Sequence, residues 1–421
     1  MSENNVIELK MPETAQDMLT EVIRSGAKKL LAAAINAEVE EFLAIHQKLM
    51  EDGRHQYVRN GYLPERDIQT GIGEVRVNVP RIRDRSQIKS EAQYRSRIVP
   101  TYLRRSIKMG EFLPLLYLKG ISTGDFKEVL TGLFGTVAQN VSPGVISRLK
   151  SQWEEEYEQW NQRSLAGEHF VYWWVDGIYF QARMEESKDC ILVIMGVRDN
   201  GMKELIAISD GYRESKDSWL DLLNNLKRRG LKKAPKVAVG DGALGFWGAL
   251  NEAYPETLHQ RCWVHKTANI LNNLPKNMQA QAKSDIQQIW MAETKQNAYK
   301  AYDEFTAKYK AKYPKAVECL KKDKEELLTF YNFPAEHWKS LRTTNPIEST
   351  FATVRHRTRK SKGCFSRTTI LAMVFKLCGS AEKRWRAIHG FKRIAEVIEG
   401  VRFVNGVRHD GLKPDELKDA A

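Results

Sequence analysis

The sequence predicts an α/β domain interrupted by a helical insertion and preceded by a mostly helical N-terminal region. Three observations carry this. From His169, three apolar strand-like runs follow one another and then alternate with helical stretches, in the order β-β-β-α-β-α-β-α. Residues 266–341 are charged and lack strand-like alternation. In 14–52 and 102–153 the apolar residues recur at helical spacing.

Along the chain, 1–100 reads as a helical segment followed by a β-hairpin region. Met18, Leu19, Val22, Ile23, Leu30, Leu31 and Ala34 supply the helical spacing of 14–52. RNGYLPERDIQTGIGEVRVNVPRIRD then joins Gly-Ile-Gly punctuation to alternating Val75, Val77 and Val79, the pattern of a hairpin. Arg81, Arg83 and Arg85 alternate just beyond. On a continued strand they share one face and can track a phosphate backbone; otherwise they form a basic loop. Residues 101–165 read as a helix-turn-helix-like DNA-binding region: FKEVLTGLFG, a polar break VAQNVSP, then GVISRLKSQW. Ser142 and Pro143 would start the second helix as N-cap and N1, and Arg148 and Lys150 would meet DNA. An ordinary αα-hairpin has the same pattern.

Residues 166–265 hold the first part of the α/β domain. HFVYWWVDGIYFQARM is a strand run, and DCILVIMGVRDNGMKELIAISDG reads as two strands around a DNG turn. SWLDLLNNLKRRG is an amphipathic helix, KVAVGDG a short buried strand, ALGFWGALNEAY a helix, and TLHQRCWVHK a strand running into a helix. Three antiparallel strands followed by parallel crossovers result. Residues 266–341 are the helical insertion, 342–400 complete the domain with basic helices, and 401–421 form a loose polar tail.

The 421 residues are 42% apolar and 10% aromatic, which excludes global disorder. The net charge of +13 is concentrated: window 339–393 carries +12 and window 81–108 carries +7, so the remainder is acidic. Such a distribution is the electrostatic footprint of a nucleic-acid partner. Five scattered cysteines without a CxxC pair predict free thiols in a reducing compartment. MSENNVIELK has no signal-peptide pattern, and no apolar run reaches membrane-span length, so a cytoplasmic, nucleoid-associated protein is expected.

Three acids stand at suggestive places, each with an ordinary explanation. Asp176, in WWVDGIYF, has the Asp-Gly of a tight hairpin turn. Asp241, in VAVGDGALG, could cap the next helix. Glu348, in RTTNPIEST, lies three residues after Asn345 with Pro346 between, as in a capping box with Asn345 as N-cap. The alternative rests on the set. Phosphodiester chemistry with two divalent ions needs hard oxygen ligands converging from several elements. Asp176 on the first strand and Asp241 on the fourth would be neighbours, and Glu348 would arrive from the helix after the insertion.

WVDGIYFQAR, VGDGALGFW, QRCWVHK and TTNPIESTFATVRHRTRKSKG, with the earlier GYLPERDIQTGIGEVRVNVPR, resemble the consecutive signature blocks of Mutator-type DDE transposases of bacterial insertion sequences, over roughly 55–400. The resemblance implies an RNase H-like catalytic domain with a helical insertion. It implies Asp176, Asp241 and Glu348 as the metal-binding catalytic triad, with two Mg²⁺ or Mn²⁺ ions as cofactors. It also matches Cys262 and His265 to the family's Cys/Asp-x2-His motif. By spacing alone Cys262-x2-His265 is half a zinc site, but no second ligand pair follows at a finger-like distance, so zinc is not expected. His265 then has a DNA-contacting, active-site or plain packing role. Arg355, two helical turns after Glu348, shares its face and would hold a phosphate, and Arg357, Arg359, Lys360 and Lys362 would extend the grip on DNA. Their ordinary explanation is a solvated basic helix end. In place of the basic residue that many relatives have after the VHKT segment stands Ala268.

The expected function is a transposase acting on double-stranded DNA, terminal inverted repeats and target alike, as a homodimer or larger assembly and without a membrane. The competing readings are a DNA-binding regulator that keeps the fold without catalysis, and a nuclease that cuts without joining.

Overall fold

The computed structural model describes residues 18–86, 93–118, 121, 128–129, 143–180, 189–211, 213–242, 244–361 and 366–409. The chain divides into two units between Ser147 and Arg148.

In the first unit, helix α1 (Met18–Ile45) precedes two antiparallel strand pairs, β1 (Tyr57–Tyr62) with β4 (Pro80–Asp84) and β2 (Arg66–Thr70) with β3 (Gly73–Val77). The alternation seen in the sequence works as expected. Val75, Val77 and Val79 point inward with Ile68 and Val99, and Ile35 of α1 closes this core. Arg81 and Arg83 lie exposed on one face of β4, and Arg85 is exposed just past its end. The first helix stops at Ile45, short of the expected residue 52. His46 Nδ1 bonds the Phe42 carbonyl at 2.8 Å, and the chain then turns back to bridge Leu49 to His55. Helix α2 (Ile107–Leu118) follows. The first helix of the expected helix-turn-helix and Ser142 lie outside the described residues, apart from two helical residues at 128–129.

The second unit contains helix α3 (Pro143–Asn161), most of which belongs to it, and a five-stranded mixed sheet. Its strands are β5 (Phe170–Phe180), β6 (Asp189–Arg198), β7 (Lys203–Gly211), β8 (Val237–Gly240) and β9 (Leu258–Arg261), in the spatial order β7-β6-β5-β8-β9. β5, β6 and β7 pair antiparallel, and β5, β8 and β9 parallel. The β6–β7 hairpin turns at Asp199-Asn200-Gly201, where Gly201 adopts φ +81°, a conformation that glycine enters without steric cost.

Helices cover both faces of the sheet, which explains why its strands read as continuous apolar runs. On one face pack α4 (Lys216–Arg228) and α5 (Leu244–Ala253). Ser215 caps α4 by accepting the Ser218 N–H at 3.2 Å, and Trp219, Leu222, Leu223 and Leu226 form its buried stripe. They meet Trp173 and Val175 of β5 and Leu192 and Ile194 of β6. Alternate residues of β5 face the other way: the Tyr172 hydroxyl bonds His337 Nδ1 at 2.8 Å, and Trp174 Nε1 donates to the Ser340 carbonyl at 3.0 Å.

Between β9 and Leu341 the described chain is helical: α6 (Trp263–Leu271), α7 (Lys276–Met291), α8 (Lys295–Tyr309), α9 (Pro314–Lys321) and short turns to Leu341. Helix α10 (Asn345–Ser361) then returns to β5, burying Ile347, Phe351 and Val354 at helical spacing. Helix α11 (Arg367–Glu382) packs on β7, where Glu382 Oε1 accepts the Leu205 N–H at 2.9 Å. After Val401 the chain is not a loose tail at first. Phe403–Val404 and Val407–Arg408 pair as a small hairpin, with Phe403 buried and the Gly406 carbonyl accepting the Ala335 N–H at 3.1 Å.

Candidate active site

Asp176 lies within β5, opposite Val193 of β6, and the strand runs on to Phe180. The hairpin-turn explanation for its Asp-Gly therefore fails: no turn occurs there. Along the β5–β8 ladder Tyr172, Trp173 and Trp174 pair with Val237, Ala238 and Val239, a constant offset of 65 residues. The spacing from Asp176 to Asp241 is also 65, so the two acids occupy matching positions two residues past the last pair. Asp241 accepts the Gly242 N–H with its carboxylate, and its carbonyl accepts Trp247 Nε1–H at 3.0 Å.

Glu348 reaches the same region from α10, but not through the expected capping box. The Thr344 carbonyl accepts the Glu348 N–H at 3.0 Å, so Thr344 is the N-cap and Asn345 the first helical residue. Asn345 N–H bonds Thr343 Oγ1 at 3.3 Å rather than the Glu348 carboxylate. Instead the Thr344 hydroxyl donates to Glu348 Oε1 at 2.5 Å, which aims the carboxylate. Thr344 is fully buried, and its backbone N–H points at Cys262 Sγ, 3.4 Å away. Cys262 proves to be the N-cap of α6 rather than a strand residue. One turn on, His265 Nε2 stands 3.7 Å from Glu348 Oε1.

His265 is the electrostatic centre of the group. Its bond with Cys262 raises it to about 9 against the opposing effect of burial, and the charges of Cys262, Asp241 and Glu348 add to the rise. Burial alone would raise the Cys262 thiol, but bonds from His265 and Thr344 bring it below its ordinary value. Asp176 is pushed up to about 7, chiefly by burial; His265, the Gly177 N–H and Arg355 pull it down, and Glu214 pushes it further up. Arg355 Nη2 lies 3.8 Å from Asp176 Oδ2, so this cation faces Asp176 besides sharing a helix face with Glu348.

Glu214, which the sequence reading missed, is a fourth acid here. Its carboxyl is raised by burial and by Asp241. A Cβ at Gly177 would come within 2.2 Å of Glu214 Oε1, so glycine beside Asp176 makes room for it. Thr344 was missed likewise. Neither residue carries a sequence signal, since a lone Glu in a loop and a Thr before an Asn-Pro are common.

Arg148 and Lys150 lie on α3, and Arg81, Arg83 and Arg85 in the first unit. Arg357, Arg359 and Lys360 continue α10, and Lys362 is outside the described residues. Among the described residues, the group whose ligand atoms all lie within 4.8 Å of one another is Cys262, His265 and Glu348, not the three acids.

The profile of the Mutator family of transposases matches residues 2–387. The chain belongs to that family. A transposase for the insertion sequence element IST2 of Acidithiobacillus ferrooxidans is 51% identical over 302 residues, which are 70% of this chain and 100% of that protein. A transposase for the element IS6120 of Mycolicibacterium smegmatis is 50% identical over 298 residues, 71% of this chain and 92% of that protein. A transposase for the element IS905 of Lactococcus lactis is 28% identical over 343 residues, 81% of this chain and 84% of that protein. No helix among the described residues of this Mutator-family chain is long and apolar enough to cross a membrane.

Proposed function

We propose that the chain is a DNA transposase that binds terminal inverted repeats, cuts phosphodiester bonds at the element end and transfers the 3′-hydroxyl to target DNA. The observation that carries this reading is the β5–β8 ladder, whose offset equals the spacing of Asp176 and Asp241. The strand order, with a helical stretch between β9 and α10, fits an RNase H-like catalytic domain with an insertion.

Asp176 Oδ2 is buried and makes no hydrogen bond, although Arg355 Nη2 stands 3.8 Å away, and the neighbouring donors are carboxylate oxygens suited to Mg²⁺ or Mn²⁺. Asp176, Asp241 and Glu348 would hold two such ions, which when bound supply an activated attacking oxygen and a stabilised leaving oxygen. The chain's own side chains do the rest. Thr344 orients Glu348, His265 offsets the crowded negative charge, and Arg355 is placed to answer a phosphate. The basic residues Arg357, Arg359, Lys360 and Lys362, with Arg81, Arg83, Arg85, Arg148 and Lys150, position the duplex through its phosphates. Acting on two ends calls for a homodimer or larger assembly on DNA, working on the nucleoid in the cytoplasm.

A regulator that binds without cutting is the second reading, favoured by one observation: Arg355 already answers Asp176 as a salt bridge would in an inert site. The test is incubation of purified chain with duplexes carrying the terminal repeats, with Mg²⁺ or Mn²⁺. Nicked and joined strands are expected, and Asp241→Ala should lower both at least a hundredfold. An undiminished rate in that variant refutes the proposal. Binding without any cleavage indicates the regulator, and cleavage without joined products a nuclease.

A further inference from the structure

We propose that Cys262, His265 and Glu348 form a second metal site, for a soft divalent cation of the zinc class, whose occupation withdraws Glu348 from the acid set and blocks the reaction. The blocking rests on the function proposed above; the binding does not.

The donors are a thiol, an imidazole and a carboxylate, all within 4.8 Å of one another. That is a zinc ligand set, and three protein donors with one open position is the usual count where water or another ligand takes the fourth place. The half-site in the sequence looked incomplete because no second pair follows at finger-like spacing. Its third donor arrives from a helix 83 residues after His265. The 3.7 Å between His265 Nε2 and Glu348 Oε1 is close to the roughly 3.4 Å that tetrahedral bonds of about 2.05 Å require. Cys262 Sγ faces the Thr344 N–H at 3.4 Å and sits at the N-terminus of α6, both of which favour the thiolate a metal needs.

An entry path exists on one side. Cys262 is buried, whereas the side chains of His265 and Glu348 remain 30% and 25% exposed. The set also discriminates by softness. Thiolate and imidazole suit zinc, while Mg²⁺ takes oxygen donors such as those of Asp176 and Asp241. Glu348 is common to both sets, so an ion held by Cys262 and His265 competes with Mg²⁺ for this carboxylate.

Co²⁺ is the probe, since its bond to a thiolate absorbs in the near ultraviolet. Titration of the full chain should give this band, saturating at one Co²⁺ per chain, insensitive to excess Mg²⁺ and displaced by Zn²⁺. Cys262→Ser should abolish it, Glu348→Gln should weaken Co²⁺ binding at least tenfold, and Asp176→Asn should leave it within twofold. Circular dichroism checks each fold, and the partly exposed Glu348 keeps the test decisive if the Cys262 variant misfolds. A wild-type chain without the band, or unchanged affinity in Glu348→Gln, overturns the site. Equimolar Zn²⁺ should slow Mg²⁺-supported nicking at least tenfold, reversibly on chelation; undiminished nicking with the site filled overturns the block. A chain that shows the band but never nicks DNA supports the site and counts against the transposase reading alone.

Discussion

Two glycines of α5 one turn apart should respond to alanine in opposite directions. Either substitution gains intrinsic helix propensity of about 1 kcal/mol. At Gly248 the new Cβ meets Lys216 Cδ at 3.3 Å and its Cγ and Cε at 3.6 Å, the flexible stem of an exposed side chain. Gly248→Ala should therefore stabilise the second unit by up to about 1 kcal/mol. At Gly245 the new Cβ falls 2.2 Å from the Glu214 carbonyl oxygen, and 2.7 Å from both Lys216 N and Ser215 C. All three are backbone atoms at the start of α4, so relief demands a main-chain shift of about 1.2 Å to reach ordinary contact near 3.4 Å. Overpacking of this kind costs about 1–3 kcal/mol, or more against main chain, and outweighs the propensity gain. Urea unfolding of the full chain, followed by tryptophan fluorescence, measures both. The propensity gain is common to both, so the two midpoints should separate by the overpacking cost, about 1–3 kcal/mol or more in free energy, with wild type between them. Gly245→Ala as stable as Gly248→Ala would refute the reasoning. The same shift moves Glu214, so DNA nicking should also fall in Gly245→Ala alone.

Glu214→Gln should lower nicking at least tenfold while leaving the urea midpoint within about 0.5 kcal/mol of wild type, because the residue faces the acids and not the core; unchanged kinetics would remove it from the site. Tyr172→Phe leaves His337 Nδ1 buried without its partner, and should cost about 1–3 kcal/mol in the same unfolding assay. Glu38 of α1 is buried and accepts from the Ser96 hydroxyl at 2.6 Å and the Arg97 N–H at 2.5 Å. Burial pushes its carboxyl up, but these bonds and Tyr94 outweigh burial and hold it below its ordinary value. A depressed carboxyl stabilises the fold above its unfolded pKa and loses that contribution as pH falls through the folded one. The first unit should thus weaken below about pH 4.5, and Glu38→Gln should flatten that part of its pH–stability curve. Arg355→Ala should weaken DNA binding and reduce its salt dependence, read by titration at several salt concentrations.

What the sequence disclosed was whatever is encoded locally. The order of strands and helices after His169 was legible because each run carries its own period and the DNG turn its own geometry. The β2–β3 hairpin was legible for the same reason. Of the non-local placement, the adjacency of the strands of Asp176 and Asp241 was expected, but not their register. That 65 residues equals the β5–β8 register follows from how two distant strands pair, and no motif announces it. Glu214 enters the site from a loop whose position depends on the whole sheet. The N-cap of α10 was misread by one residue, since Pro346 is tolerated at the second helical position as at the first: neither N–H has an intrahelical partner. The third donor beside Cys262 and His265 was invisible for a similar reason, because spacing rules look along the chain and Glu348 approaches across it.

The long excursion between Cys262 and Thr344 ends where it began. Trp263 N–H bonds the Arg342 carbonyl at 2.9 Å, and Thr344 rests on Cys262. Gln260, at the edge of the sheet, also grips the returning chain at Leu327 and Phe330. Glu348 is therefore located by a hem, not by the length of cloth gathered above it. Halving a flexible loop changes its closure entropy by only about 0.6 kcal/mol. Rebuilding within 272–322 should leave the carboxylate where it is, whereas a single cut in the seam at 327–344 should set it adrift. In this chain the freedom to vary size and the obligation to hold an atom still are assigned to different stretches of the same segment.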